Sequence, residues 1–548
     1  RLVRPHRPPL LMSPAASQTS DVAIVGAGPV GLTLANFLGL YGVRTVVLES
    51  RPSLIDYPRG VGMDDETLRT FQAVGLVEDV LPHTTPDQWL RFMNSKGRCF
   101  ASIEPRSRQF GWPRRNAFIQ PLVDEVLLRG LDRFDDVTVQ WDSEVVGLRQ
   151  EPDRVRIAVR RDGDDQEVMA GYVVGCDGGR SLVRKEMGVS WDGTSSPTRW
   201  LVVDLAHDPV GTPNAYVFGD WRRPYVSIAL PHGLRRFEFM ILPGEDEEAM
   251  AKPDRVDELI RAVVPDVGPL EYIRQRVYTH HARVAGSFVT GRVVLGGDAA
   301  HLMPVWQGQG YNSGIRDAAN LGWKLAAAVH GEASPQIVQT YDTERRTHAT
   351  AMVKLSQAAG VLVRQTRRST ALVRDAVTRA WDYVPPLKRY IVEMRYKPMP
   401  TYTEGVVLTG AGHAPAVGRL FIQPTVTTRH DGRQRLDDVL GPWFALLAWG
   451  DDPRPHLSPA ALEVVQRLRA RVVVARPATQ LQWGDPDTED TRVVADDGEL
   501  KAWFDEQGGS VVVLRPDRFV ATVCRPLELS LRMVLLGELL GITPEATT

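Results

Sequence analysis

The sequence predicts an α/β fold: a Rossmann-like domain, interrupted by a sheet-rich insert and followed by a further α/β domain. Three observations carry this. A short apolar strand (Val22 to Val25) runs through Gly26-Ala27-Gly28-Pro29-Val30-Gly31 into a helix and a second strand (Val43 to Leu48), the order of a βαβ unit. From Arg199 to about Arg283 the chain alternates polar and apolar residues and carries aromatics, as in Tyr225-Val226-Ser227-Ile228-Ala229-Leu230 and Arg236-Phe237-Glu238-Phe239-Met240-Ile241. A further strand, Val293-Val294-Leu295, feeds Gly296-Gly297-Asp298 and then a long helix ending near Gly331.

Length and charge narrow the classes. At about 150 residues per domain, 548 residues hold roughly three or four domains. Lys and Arg number 65 against 67 Asp and Glu, a net charge of -2. No cationic surplus exists to neutralise a phosphate backbone or an anionic bilayer, so neither nucleic acid nor membrane is an expected partner. Of the 65 cations, 57 are Arg; codon composition accounts for so general an excess. Cys99, Cys176 and Cys524 stand too far apart for a CxxC pair or a zinc cluster, which fits a reduced cytoplasmic chain. No apolar run approaches the roughly 18 residues of a membrane span.

The expected divisions are a disordered extension (1–20), the first part of the Rossmann-like domain (21–198), the insert (199–283), the second part with its helices (284–396), a linker containing Pro and Gly (397–418) and the last domain (419–548).

Glycines in the first turn have separate duties. Gly26 makes the tight turn, Gly28 lets the backbone approach a pyrophosphate, and Gly31 allows close contact of helix and strand. Free N–H groups at the helix start receive phosphate charge. Glu49, ending the next strand, is placed to accept hydrogen bonds from a ribose.

Two further segments follow strands: Cys176-Asp177-Gly178 with Ser181 and Arg184, and Gly297-Asp298-Ala299-Ala300-His301 with Pro304. With the glycine turn, they resemble the three signatures of the aromatic-ring flavoprotein hydroxylases, single-component FAD monooxygenases. The resemblance implies that Asp298 holds the flavin ribityl chain and that Asp177 and Gly178 bridge the FAD and nicotinamide sites. It also implies that Pro304, Gly308 and Gly310 line the flavin edge, where the next helix begins, and that Arg59 and Gln120 touch the pyrophosphate and ribityl chain. Positive charge at that helix start would stabilise a reduced flavin.

Longer segments, Leu54 to Arg59, Phe110 to Gln120, Pro304 to Gly314 and Arg515 to Ala521, resemble the phenol hydroxylase branch of this family. Residues 419–548 resemble its thioredoxin-like domain without the CxxC, which leaves a structural role or a homodimer contact. The implied cofactor is non-covalent FAD, with NADH or NADPH and O2 as co-substrates. The implied reaction is ortho hydroxylation of a phenolic acid, 3-(3-hydroxyphenyl)propanoate, to 3-(2,3-dihydroxyphenyl)propanoate.

Asp56 and Tyr57 are candidates for assisting phenol ionisation. Arg235, Arg236, Arg274 and Arg276 are candidates for the substrate carboxylate, among which the sequence does not choose. No HExxH or GxSxG occurs, and His280-His281 on a strand point to opposite faces, so no metal is expected. Alternatives left open are a related enzyme acting on another phenol or a polyketide, a flavin oxidase or dehydrogenase without oxygen insertion, and a non-catalytic flavin-binding protein.

Overall fold

A computed structural model describes residues 18–381, 383–410, 413–481 and 491–542. Five parallel strands form the centre of the first sheet, in the order Val293–Leu295, Asp164–Gly175, Gln18–Val25, Thr45–Leu48, Val137–Gln140. Helices Pro29–Leu40 and Gln309–Val329 pack against each other beside it. The strands Val22–Val25, Val46–Leu48 and Val293–Leu295 are apolar throughout and buried, as a parallel sheet covered on both faces requires. Gln18, Thr19 and Ser20 belong to the first strand, paired with Val168, Met169 and Ala170, so the expected extension gives way to sheet after residue 17; residues 1–17 lie outside the described residues.

The second sheet has eight strands in the order His301–Leu302, Tyr272–Ala285, Trp191–Leu205, Arg235–Ile241, Tyr225–Ala229, Ala215–Gly219, Leu90–Asn94, Cys99–Ile103. Residue 199 falls inside a strand that begins at Trp191, and two strands come from residues 90–103, far upstream of the insert read from the sequence. The sheet has two faces. Leu201, Val203, Phe237, Phe239 and Ile241 pack on helix Pro253–Val263, whereas Trp200, Met240, Val226, Val217 and Leu90 face the rest of the protein.

The third sheet, in residues 425–524, is mixed, with Ala445–Trp449, Arg471–Pro477 and Thr491–Asp496 parallel and the remaining strands antiparallel. Its alternate residues serve two cores. Val472, Val474, Val511 and Val513 meet helices Pro459–Arg467 and Leu529–Leu540, while Val473, Ala475, Val512 and Leu514 meet helix Glu499–Gln507. A mixed sheet with helices on both faces is the expected thioredoxin-like architecture. Cys524 is buried.

Residues 397–418 do more than connect. Lys397 is buried and donates to Asp64 and Glu66 at 2.9 Å each, and Tyr402, Val406 and Val407 are buried. The described part of the apparent linker, 397–410 and 413–418, carries polar and glycine residues because it wraps the core as irregular backbone.

Candidate functional site

The three glycine-bearing segments meet around the start of helix Pro29–Leu40. Gly26 has φ +106°, and a Cβ there would stand 2.6 Å from the Cys176 carbonyl oxygen. A Cβ on Gly31 would stand 2.1 Å from the Gly26 carbonyl oxygen. Gly28 caps the helix without any side-chain bond, and a Cβ there would meet nothing within 4 Å. Two glycines thus serve packing and the third leaves open space at a helix N-terminus, the place for a phosphate. Glu49 Oε2 accepts from Ala27 N at 2.8 Å and Oε1 from Arg51 N at 3.0 Å. Oε1 also accepts from the Ser50 hydroxyl at 3.4 Å, so Oε2, with one donor, retains the acceptor position for a ribose hydroxyl.

Asp177 is held by one oxygen only. Its Oδ2 accepts from Leu182 N at 2.6 Å and Val183 N at 3.2 Å, while Oδ1 is buried and unpartnered. Burial raises its pKa against the opposing hydrogen bonds. Gly178 beside it has φ +77° and open space at its Cβ. A buried acceptor next to a vacant glycine is what a bound hydroxyl or amide would complete.

Asp298 lies in the turn Gly297–Ala299, 3.4 Å from Arg59 Nη2. Both side chains are substantially exposed, so the pair is loose. The turn itself is fixed by Asp317 of the long helix, which accepts from Gly297 N (3.0 Å), His301 Nε2 (2.7 Å) and Arg345 Nε (2.8 Å). Burial opposes ionisation of Asp317, but His301 and then Arg345 outweigh it, holding its pKa at about 2. Sequence reading missed Asp317 and Arg345; an acid beside the apolar stripe of Ile315 and Ala318, two turns into the helix after a glycine pair, was the available signal.

Gly308 has φ +61° and caps helix Gln309–Val329; Pro304 precedes the turn leading to it, and Gly310 lies in the first helical turn. Gln120 is buried, its Oε1 accepting from Arg59 N (3.2 Å) and Gly60 N (2.7 Å), its Nε2 donating to Asp124 at 3.0 Å. Its amide therefore sets the Arg59 loop.

That loop is gripped from the second sheet. Arg236 donates to the carbonyls of Pro58 (2.6 Å) and Arg59 (3.2 Å) while pairing with Asp204 at 2.7 and 3.0 Å. Arg274 donates to the Pro58 carbonyl at 2.7 Å. Arg235 is committed elsewhere, to Asp208, Ser227 and Thr212. Arg276 Nη1 donates to the Tyr57 hydroxyl at 3.2 Å, and the Arg274 guanidinium lies 4.2 Å from the Tyr57 ring centre. Burial would raise the Tyr57 pKa, but Arg276 and Arg51 bring it below 10. Asp56 is exposed.

Residues 19–356 match the family model described as FAD binding domain, and relatives of nearly full length are similar. This chain belongs to the FAD-binding domain family. The flavoprotein is 55% identical over 524 residues, 93% of this chain and 90% of the relative, to a protein of Mycobacterium avium named 3-(3-hydroxy-phenyl)propionate/3-hydroxycinnamic acid hydroxylase. A protein of the same name from Paraburkholderia xenovorans is 50% identical, covering 93% and 90%. Residues 418–536 match the HcaD C-terminal domain. Among solved structures, the flavin-dependent monooxygenase PieE, in complex with FAD and substrate, has TM-score 0.81 at 21% identity, covering 96% of this chain and 100% of that chain. OxyS anhydrotetracycline hydroxylase from Streptomyces rimosus has TM-score 0.74 at 26% identity with the same coverage. The flavoprotein is an FAD-dependent aromatic hydroxylase, a monooxygenase. Among the described residues, no helix is long and apolar enough to cross a membrane.

Proposed function

We propose that this flavoprotein uses NADH or NADPH and O2 to convert 3-(3-hydroxyphenyl)propanoate to 3-(2,3-dihydroxyphenyl)propanoate. The observation that carries the reading is the sheet face bearing Arg236, Arg274 and Arg276, joined through Pro58 and Tyr57 to the loop of Arg59 and hence to Asp298. The names of the relatives supply the substrate class.

Bound FAD supplies electron transfer and oxygen activation. Gly28 and the following amides would receive its pyrophosphate, Glu49 a ribose, and Asp298 with Arg59 the ribityl chain. Arg235 and Arg236 are taken up by Asp208 and Asp204. Arg276, exposed and bonded to a neutral hydroxyl, keeps donors for a carboxylate and is our assignment for the substrate tail. Three free cysteines suit a reduced cytoplasmic setting.

The test is a panel of meta-substituted phenols with and without a carboxylate tail, scored for hydroxylated product against NAD(P)H consumed. Coupled turnover of the acid is expected. Equal turnover of tail-less phenols rejects carboxylate recognition, product hydroxylated only para to the phenol rejects the ring orientation, and NAD(P)H oxidation with no oxygenated product from any phenol rejects the reaction.

A further inference from the structure

On the sheet face toward the flavin loop, four aromatic rings close on one another. Trp200 and Tyr278 are paired across neighbouring strands, and His280 follows two residues along the strand Tyr272–Ala285. Trp306 comes from the turn between Pro304 and Gly308. Its ring centre lies 5.0 Å from that of Trp200 and 5.1 Å from that of His280, both near perpendicular. His280 lies 5.1 Å from Tyr278 and 6.0 Å from Trp200.

Within this apolar group two polar atoms are left over. Trp200 is wholly buried and His280 is 4% exposed, yet Trp200 Nε1 and His280 Nε2 have no partner. A buried polar atom left without a partner is destabilising. The Tyr278 hydroxyl is already spent, donating to Glu238 at 3.1 Å.

Indole N–H only donates, and a neutral imidazole protonated at Nδ1 presents Nε2 as an acceptor. Burial first, then Arg364 and His281, push the His280 pKa down to about 3, so the ring is neutral at ordinary pH. A group that both accepts from an N–H and donates to an unprotonated ring nitrogen is a hydroxyl. A carboxylate would leave Nε2 facing negative charge, and a cation would leave Nε1–H facing positive charge. A phenol also brings a ring to an aromatic enclosure.

We propose that Trp200 and His280 together seat the phenolic hydroxyl of the substrate, its oxygen accepting from Trp200 Nε1 and its proton donated to His280 Nε2. The assignment deepens the proposed function and rests on it. Along the extended strand, His280 stands about 13 Å from Arg276, at about 3.3 Å per residue. One face thus offers a hydroxyl seat at one position and a carboxylate seat four residues away. His280 acts as an acceptor that orients the ring; so weak a base does not take the proton.

The test uses FAD-loaded protein, titrated through the flavin absorbance with 3-(3-hydroxyphenyl)propanoate and with 3-phenylpropanoate, which lacks only the hydroxyl. Wild type should prefer the phenol. Trp200→Phe and His280→Leu should each weaken the phenol about tenfold while leaving 3-phenylpropanoate within about twofold, the size of one hydrogen bond left unmade. His280→Gln, which retains an acceptor, should restore most of the preference. Trp200→Phe preserves the ring, so the experiment stands even if His280→Leu fails to fold. Variants that keep the wild-type ratio of the two affinities overturn the seat while leaving the hydroxylase reading intact; a buried water held by the same two nitrogens would give this result. Wild type that binds both compounds equally overturns the seat, and wild type that binds neither overturns it together with the substrate reading.

Discussion

Val30 and Gly314 are fitted to each other: a Cβ at position 314 would stand 2.5 Å from Val30 Cγ2. Gly297 meets the same side chain, at 2.7 Å from its would-be Cβ. One valine of the first glycine turn thus fixes the distance to the Asp298 turn and to the long helix. Gly314→Ala should cost about 1–3 kcal/mol through overpacking and lower the FAD content of the purified protein. Flavin-to-protein absorbance with thermal unfolding checks it; unchanged values in both would show that the contact yields freely.

Gly28 and Gly31 differ in what a side chain would strike. Gly31→Val drives atoms into the Gly26 carbonyl, 2.1 Å from a Cβ, and should abolish folding. Gly28→Val meets no protein atom within 4 Å of its Cβ, so circular dichroism should be nearly native while FAD retention falls. Asp298→Ala, which removes the partner of Arg59, should likewise release flavin from a folded chain. A folded wild-type protein that cannot be reconstituted with FAD would contradict the whole assignment of the site.

Glu344 joins the long helix to the last domain. It accepts from Lys324 at 2.7 Å and from Arg515 at 2.8 Å by both oxygens, all three side chains being fully buried. Burial opposes its ionisation, but Arg515 and then Lys324 hold its pKa at about 2, against an ordinary 4.5. Such a depressed carboxylate stabilises above pH 4.5, and the contribution drains away as pH falls toward 2. Glu344→Gln should destabilise by about 3–5 kcal/mol at pH 7 and show a shallower further loss between pH 4.5 and 2, read by urea unfolding at several pH values.

Tyr57 offers a choice between two roles. If it were the base expected from the sequence, Tyr57→Phe would remove the rise of hydroxylation with pH. If the hydroxyl serves to hold Arg276, from which it accepts at 3.2 Å, Tyr57→Phe gives a several-fold increase in KM for the acid, little change with a tail-less phenol and an unaltered pH profile. Asp56→Asn, at an exposed position, should leave both parameters near wild type.

Local pattern carried the central parts of this fold. The glycine turn, the acid of Asp177-Gly178 and the Gly297-Asp298 turn each follow a strand, and that context is short range. What was not legible depends on distant pairing. Strands Leu90–Asn94 and Cys99–Ile103 joined a sheet formed mainly by residues 191–285 because Leu90 pairs with Ala215, a register that no local alternation encodes. Among the arginines, Arg236 and Arg276 look alike in sequence; only Asp204, pairing with Arg236 at 2.7 Å, separates them. Gln120 was expected at the cofactor because its segment matched, and its burial behind Arg59 became visible only with the loop folded over it.

The buried Glu344 also dictates an order of events during synthesis. Its cationic partner Arg515 lies 171 residues further on, so when a ribosome has completed the flavin-binding part of the chain, that carboxylate still lacks its guanidinium. This charge cluster cannot be completed until residue 515 has emerged. A chain stopped before residue 515 would lack this guanidinium and offer the unmatched carboxylate to chaperones and proteases.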